Sequence, residues 1–162
     1  MRVDDGAIEF LDAIQGVQCQ ILATEVGDFV VQRADGYFAY QLAVVVDDAA
    51  QGITHIVRGA DLLDSTARQI ELQRKLGFAT PQYAHLPVLL NADGEKLSKQ
   101  TQAAPISTER ISEQLFVALS LLGQSPSADL ADAPMQEIWI WAFENWRLDR
   151  VPSARGVPLQ QM

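Results

Sequence analysis

Two lysines bracket a serine in the segment Lys96-Leu97-Ser98-Lys99, the stretch of the sequence that is most informative about chemistry. The Asp-Gly pair at residues 93–94 signals a tight turn just before it, so the segment is predicted to lie on a loop. Ammonium groups on such a loop can neutralise the triphosphate of a nucleotide and stabilise the charge that develops as pyrophosphate leaves. The alternative is a solvated, lysine-rich turn, which is the commoner structure for four such residues taken alone.

Arg58 is a second candidate, because it stands at the C-terminal end of a predicted strand. Ligands bind beyond the carboxyl ends of the strands in parallel sheets, and a guanidinium can hold a carboxylate through two parallel hydrogen bonds. The alternative is a surface salt bridge between Arg58 and Asp61 or Asp64.

Cysteine and histidine are rare in the sequence, which limits the kinds of reactive site that the chain can form. The single cysteine, Cys19, excludes an intrachain disulfide and any cysteine-based metal cluster. The two histidines, His55 and His85, lie in predicted strands, where a hydrogen-bonded structural histidine is the expected outcome.

The composition of the 162 residues is that of an ordinary globular chain, with 48% hydrophobic and 20% charged residues. The net charge of −9 argues against a dedicated DNA-binding module, although a local basic patch can still bind RNA. No apolar run approaches the roughly 20 residues of a membrane span, and the first residues lack the apolar stretch of a secretory signal. We therefore expect a cytoplasmic protein that does not contact a membrane.

The first part of the sequence predicts strands followed by a helix. Residues 8–29 favour strands and turns, and residues 29–33 a further strand that ends at the Asp-Gly turn signal at 35–36. Residues 37–40 are predicted to form the returning strand. A helix is predicted over residues 41–50, closed by the next glycine.

The next part predicts a strand, a helix and a second strand. Residues 53–57 are mostly β-branched and uncharged, which is typical of a strand buried on both faces of a parallel sheet. Ser65 or Thr66 can cap a helix that runs to about Leu76, where a glycine ends it. Residues 85–90 predict another buried strand, made irregular by a proline.

The character of the sequence changes after Pro105. Ser107 or Thr108 can cap a helix whose apolar residues recur at helical spacing up to Gly123. A polar loop and a second, tryptophan-rich helix follow. The sequence therefore predicts part of an α/β domain over residues 1–104 and a helical appendage over residues 105–162.

Several separated segments resemble, in order and spacing, the second half of the catalytic domain of glutamyl-type class I aminoacyl-tRNA synthetases. They are residues 40–48, 52–54, 56–61, 85–87 and 96–99. Two segments of the sequence are closer to one branch, the glutamyl-queuosine tRNA(Asp) synthetases, which are truncated paralogs without an anticodon-binding domain: residues 38–43 and 58–66. The resemblance runs over nearly the whole chain, including the ending 144–148. The resemblance implies the C-terminal half of a Rossmann-like nucleotide-binding domain followed by a small helical appendage.

The resemblance also implies roles for individual residues in the first part of the chain. Tyr40 and Arg58 fall where the family contacts the glutamate substrate. For Tyr40 the alternative is a half-buried aromatic residue on a strand. Asp47 and Asp48 match the family pattern as well. A structural role is expected for them, and the alternative is a role in a side-chain network.

The lysine-rich segment matches the second class I signature motif. Lys99 is the expected ATP contact, supported by Lys96 and Ser98. Val88 and Leu89 lie where family members offer backbone groups to adenine. The implied reaction uses ATP and Mg²⁺ to activate glutamate as glutamyl-adenylate, and then transfers the glutamyl group to the queuosine base of tRNA(Asp).

Parts of the family pattern are missing from the sequence. Nothing fits the His-x-Gly-His-like first signature, the acid and arginine that bind the substrate amine and carboxylate, or the zinc-binding insertion of this branch. The resemblance therefore implies zinc only in a segment outside this sequence. We expect a C-terminal portion that is inactive alone and self-associates through an exposed sheet edge at residues 53–57. The alternatives are a fragment of an ordinary glutamyl-tRNA synthetase and a non-catalytic remnant that binds a nucleotide or a partner protein.

Overall fold

The computed structural model describes residues 1–98, 106 and 108–159. The chain forms two compact units, Met1–His85 and Leu86–Met162. Within the described residues, no helix is both long and apolar enough to span a membrane.

A four-stranded sheet is the centre of the first unit, with the strand order β2-β1-β4-β3. The strands are β1 (Ala7–Asp12), β2 (Gly16–Ile21), β3 (His55–Gly59) and β4 (Gln82–Leu86). A tight turn joins β1 and β2 into an antiparallel hairpin, whereas β1 and β4 pair in parallel. The predicted α/β class and the strands within residues 8–29 are confirmed.

Three α-helices accompany this sheet: α1 (Leu22–Glu25), α2 (Tyr40–Ala50) and α3 (Thr66–Leu76). As predicted, glycines in the left-handed conformation end α2 and α3, with φ +68° at Gly52 and +71° at Gly77. The core of the unit is formed by buried side chains from the hairpin, α1, α3 and β4: Ile8, Leu22, Ala67, Ile70 and Tyr83.

The strands predicted over residues 29–33 and 37–40 are wrong. The Asp-Gly turn does form, with the amide of Gly36 donating to the carbonyl of Arg33, but only Gln32 and Phe38 make an isolated antiparallel bridge. A two-stranded hairpin that no third strand supports is marginally stable. The chain therefore leaves the bridge at once and enters α2 at Tyr40.

Two other expectations for the first unit need correction. Ser65 does not cap α3, because a 3-10 turn over Ala60–Ser65 leads directly into the helix and Ser65 itself is helical, with φ −85° and ψ −19°. The strand predicted at residues 53–57 begins two residues later, at His55.

In its described residues, the second unit combines a two-stranded sheet with two α-helices. Strands β5 (Val88–Leu90) and β6 (Gly156–Pro158) pair in parallel, and helices α4 (Ile111–Leu121) and α5 (Met135–Asn145) pack through a small apolar core. Pro87 separates β4 from β5, which confirms the predicted irregularity.

The cap predicted for the first helix of the second unit is not at Thr108. Helix α4 begins only at Ile111, with Arg110 at the cap position, because residues 108–110 form a turn. Ser107 lies outside the described residues. The domain boundary predicted between residues 104 and 105 also falls at residues that the structure does not describe, and it stays a prediction.

Candidate substrate-binding site

Arg58, near the end of β3, is held along one edge of its guanidinium. Its Nε donates to Nε2 of His85 at 2.9 Å, and its Nη2 donates to Oγ1 of Thr66, also at 2.9 Å. The guanidinium carbon lies 5.5 Å from the centre of the Tyr83 ring, within the range of a cation–π contact. Nη2 also lies 3.5 Å from the carbonyl oxygen of Leu62, which is a marginal distance for a hydrogen bond.

His85 is in turn held by a buried carboxylate. Its Nδ1 lies 2.6 Å from Oδ2 of Asp12, and both side chains are fully buried. The other oxygen of Asp12, Oδ1, accepts from the backbone amides of Ile14, Gln15 and His85 at 2.8–3.1 Å. Asp12 and His85 meet because β1 and β4 pair in parallel, with Asp12 opposite Tyr83.

The charges of this cluster follow from its hydrogen bonds and burial. Burial lowers the pKa of His85, the hydrogen bond to Asp12 opposes that shift, and the positive charge of Arg58 adds to it, so the ring is neutral. Burial raises the pKa of Asp12, but its hydrogen bonds from Gln15, His85 and Ile14 lower it by more, so the carboxyl is ionised. Burial also lowers the pKa of Arg58, yet a guanidinium stays charged in proteins.

The remaining edge of Arg58 is suited to a carboxylate. Among the described residues, Nη1 has no hydrogen-bond partner, and the Nε–Nη2 edge is the one that His85 and Thr66 occupy. The Nη1–Nη2 end can therefore make the two parallel hydrogen bonds that a guanidinium forms with a carboxylate.

Tyr40 is the first residue of α2, and 54% of its surface is exposed. The alternative of a half-buried strand aromatic is therefore wrong. Burial lowers the pKa of Arg58, whereas Tyr83, Tyr40 and Asp48 oppose that shift, so the α2 residues Tyr40 and Asp48 lie within electrostatic reach of the guanidinium. The start of α2 is fixed by Gln41, which donates to Oγ of Ser65 and accepts from Gln69 of α3.

The second unit carries the residues predicted to contact ATP. The turn after β5 closes where the amide of Asn91 donates to the carbonyl of Glu95, and Oδ1 of Asn91 accepts from two amides of the same turn. Lys96 then forms an antiparallel bridge with Leu90. The segment Lys96-Leu97-Ser98-Lys99, called the signature loop from here on, therefore begins directly after the turn that follows β5, as the turn signal predicted.

The structure places most of the ATP-site candidates on this strand and loop. Val88 and Leu89 belong to β5, where the Val88 amide donates to Arg155 and the Leu89 carbonyl accepts from Leu97. Ser98 is the last residue described on the loop, and Lys99 lies outside the described residues. The described residues contain no group of three or more His, Cys, Asp or Glu side chains that could hold a metal ion.

Asp12, Thr66 and His85 are site residues that the sequence analysis did not assign to Arg58. Asp12 and His85 are separated by 73 residues and meet only through the sheet order. The one available signal was His85 itself, a histidine in a predicted buried strand, which indicates a hydrogen-bond partner without saying which one.

The chain is similar to known synthetases in sequence and in structure. Residues 1–138 match the family described as "tRNA synthetases class I (E and Q), catalytic domain". The glutamyl-Q tRNA(Asp) synthetase of Aromatoleum aromaticum is 61% identical over 147 residues, which are 91% of this chain and 47% of that protein. The protein of the same name from Pseudomonas aeruginosa is 48% identical over 162 residues, which are 100% of this chain and 55% of that protein.

The fold of the chain is also similar to that of a synthetase of known structure. The crystal structure of a glutamate tRNA ligase from Elizabethkingia meningosepticum superposes with a TM-score of 0.72 at 26% identity, over 96% of this chain and 34% of that one. The match confirms the predicted α/β fold of a class I synthetase. The chain spans about half the length of the curated relatives it matches. Its residues 1–138 match the family over most of the chain, and it therefore belongs to the class I tRNA synthetases of the glutamate and glutamine type.

Proposed function

We propose that this chain provides the glutamate-binding arginine and the ATP-binding loop of a glutamyl-queuosine tRNA(Asp) synthetase. The proposed enzyme activates glutamate with ATP and transfers it to the queuosine base of tRNA(Asp). The names of relatives that are 48–61% identical support the substrate assignment. The observation that carries the proposal is Arg58, whose guanidinium is anchored along one edge by His85 and Thr66 and has its other end available for a carboxylate.

In the first step, an oxygen of the glutamate α-carboxylate attacks the α-phosphorus of ATP, and pyrophosphate leaves. A two-point hydrogen bond from Arg58 would engage both oxygens of a carboxylate and reduce their nucleophilicity. It therefore suits a carboxylate that is held and does not react. We accordingly assign Arg58 to the side-chain carboxylate of glutamate, with Tyr40 beside it.

ATP contributes the leaving group, and the signature loop would stabilise it. Lys96, Ser98 and Lys99 would contact the phosphates, and the charge of the lysines matters most when pyrophosphate separates. Val88 and Leu89 of β5 would contact adenine through backbone groups. Mg²⁺ bound to ATP would neutralise part of the phosphate charge.

In the second step, a hydroxyl of the queuosine base attacks the carbonyl carbon of glutamyl-adenylate, and AMP leaves. The new ester bond joins glutamate to the modified base of tRNA(Asp). This step distinguishes the proposal from an ordinary glutamyl-tRNA synthetase, which would esterify tRNA(Glu).

The test uses a hybrid enzyme, in which this chain replaces the matching 147 residues of the Aromatoleum aromaticum relative. We expect the hybrid enzyme to attach radiolabelled glutamate to tRNA(Asp) that contains queuosine and not to tRNA(Asp) that lacks it. Attachment to tRNA(Glu) would favour the ordinary synthetase. ATP binding by a folded hybrid enzyme without any glutamate transfer would favour the non-catalytic remnant.

A further inference from the structure

We propose that Asp12 and His85 are positioning residues for Arg58: Asp12 fixes the tautomer of His85, and His85 then holds the Nε edge of the guanidinium. The inference rests on the proposed function, in which Arg58 binds a carboxylate of glutamate. It adds two residues that do not contact the substrate but fix the orientation of the group that does.

The tautomer follows from which groups can donate. Oδ1 of Asp12 is occupied by three backbone amides, so Oδ2 is the oxygen left to face the imidazole. An ionised carboxylate can only accept, and the proton of the ring therefore lies on Nδ1 of His85. Nε2 then has a lone pair that accepts from Nε–H of Arg58 at 2.9 Å, because a guanidinium can only donate. The hydroxyl of Thr66 lies farther from Nε2, at 3.3 Å.

A neutral ring between the two charges has a further consequence. A carboxylate in direct contact with Arg58 would form an ion pair and compete with the carboxylate of a substrate. The His85 ring occupies the Nε edge without a negative charge and keeps the Asp12 carboxylate on its far side. The guanidinium therefore keeps one orientation and its full charge towards a ligand.

Fixing the guanidinium lowers the entropic cost of binding. A free arginine side chain loses rotamer freedom when it binds. The contacts to His85, Thr66 and the Tyr83 ring remove that freedom before a ligand arrives. Loss of the His85 contact should therefore weaken glutamate binding more than it changes the rate of the chemical step.

Two amide substitutions at position 85 separate positioning from simple filling of the buried site. In His85→Asn the amide occupies the place of Nδ1, so it can bond Asp12 but cannot reach Arg58. In His85→Gln the longer amide can place its oxygen where Nε2 lies and accept from Arg58. A residue needed only to fill the site and satisfy Asp12 would be replaced at least as well by asparagine.

Asp12→Asn tests the tautomer directly. Oδ1 of the new amide can still accept from the three backbone amides, so its NH₂ group must face Nδ1 of His85. Because that group donates to Nδ1, the ring proton must move to Nε2. Two donors, Nε2–H of His85 and Nε–H of Arg58, would then face each other. A nearly isosteric change should therefore detach Arg58.

The first readout is ¹⁵N NMR of the histidine rings in this chain. We expect Nδ1 of His85 to carry the proton in the unchanged chain and Nε2 to carry it in Asp12→Asn. A proton on Nε2 in the unchanged chain would overturn the proposal. So would a ring in Asp12→Asn that keeps its proton on Nδ1.

The second readout is glutamate-dependent ATP–pyrophosphate exchange by the hybrid enzyme. We expect His85→Asn to raise the KM for glutamate about tenfold, which corresponds to one lost hydrogen bond, while kcat and the KM for ATP stay near their original values. His85→Gln should recover most of the loss. Equal KM values for glutamate in the two variants would overturn the positioning role.

Arg58→Lys separates this inference from the proposed function. If Arg58→Lys leaves the KM for glutamate unchanged, then Arg58 does not bind glutamate and the proposed function is wrong. If Arg58→Lys loses glutamate use but His85→Asn does not, the proposed function stands and only the positioning role of Asp12 and His85 is wrong.

Discussion

A guanidinium that binds a carboxylate must be charged, fixed in orientation and not already neutralised, and the surroundings of Arg58 meet all three conditions. Its partners on the Nε–Nη2 edge are a neutral ring and a hydroxyl, His85 and Thr66. Neither cancels its charge. Lysine at position 58 could not reproduce these contacts. A single ammonium group cannot donate to His85 and Thr66 and also form two parallel hydrogen bonds with a carboxylate.

Lys99 should act on the rate of activation and not on glutamate affinity. Its charge is expected to matter most as pyrophosphate leaves, so Lys99→Ala in the hybrid enzyme should lower kcat for ATP–pyrophosphate exchange by roughly 10- to 100-fold, the range of one strong charge-assisted interaction. Steady-state kinetics with Arg33→Ala as a control for the loss of a surface charge would measure this. An unchanged kcat with a raised KM for glutamate alone would contradict the assignment.

The stability of the chain should fall as the pH drops below about 6.5, the ordinary pKa of histidine. Burial lowers the pKa of His85 in the folded chain, so below that pH the unfolded chain binds more protons than the folded one. Stability from this residue is therefore fully present above about pH 6.5 and is lost as the pH falls. The pKa of Asp12 is also lowered in the folded chain, so this residue adds a further loss of stability only at more acidic pH.

Urea unfolding at pH 7.5 and pH 5.5 would measure this dependence. We expect the unchanged chain to lose more stability between the two values than His85→Gln, which keeps the exposed His55 but lacks the buried ring. Equal losses in both proteins would contradict the role given to His85.

The sequence predicts the candidate residues Arg58 and Tyr40, but it does not predict which side chains surround them. Arg58 and Tyr40 can be named because the family resemblance fixes their positions. Asp12 cannot be linked to Arg58 from the sequence, because the link requires knowing that β4 lies between β1 and β3. The expectation of a hydrogen-bonded structural histidine at position 85 agrees with its two paired ring nitrogens, but it did not indicate which side chains they would meet.

At the scale of elements, the end of α4 is fixed to the segment that follows α5. The buried side chain of Gln124 accepts from the amide of Arg147 and donates to its carbonyl. Gly123, which has φ +72°, brings its backbone so close to Arg150 that a Cβ atom would collide with the carbonyl oxygen of Arg150. This glycine therefore serves both to end the helix and to allow the close approach.

Gly123→Ala should destabilise the second unit by clearly more than Gly94→Ala. Both glycines have positive φ, which costs an alanine about 1–2 kcal/mol, but only Gly123 adds a backbone collision. All three tryptophans lie in the second unit, so the urea midpoint of tryptophan fluorescence measures its unfolding. Equal midpoints for the two variants would contradict the close approach.

The elements that the sequence predicts best are those with local signals at both ends. Helices α2 and α3 end at glycines, and β5 ends at a turn signal, so their positions follow from the sequence alone. The strand β6 could not be predicted, because three residues become a strand only when β5 offers an edge to pair with. The strand predicted at residues 37–40 does not form, because no neighbouring strand offers it an edge beyond the single bridge between Gln32 and Phe38.

In the molecule as a whole, the sheet of the first unit ends in β3, the strand for which we expect an exposed edge from the sequence. β3 is the last strand in the order, and 64% of the surface of Val57 is exposed. An edge that pairs with no further strand among the described residues, and that carries apolar side chains, favours pairing with a second chain.

We therefore predict that the chain self-associates through β3. Light scattering over a concentration series should show the mean mass rising with concentration, and Val57→Lys should reduce the rise because a charge on an edge strand opposes pairing. Val30→Lys is the matched control, since Val30 is exposed to a similar extent, 63%, but lies outside the strands. A monomer at all concentrations, or an equal effect of the two lysines, would contradict the prediction.

Glutamate-dependent ATP–pyrophosphate exchange is the most direct test of the proposed function, because exchange occurs only if the hybrid enzyme binds ATP and activates glutamate. We expect no exchange above a blank for the chain alone, which lacks the first class I signature, and clear exchange for the hybrid enzyme. Arg58→Lys in the hybrid enzyme should lower kcat/KM for glutamate by roughly 10- to 100-fold, whereas Arg33→Lys should not. Exchange by the chain alone, or near-normal glutamate use by Arg58→Lys, would contradict the account.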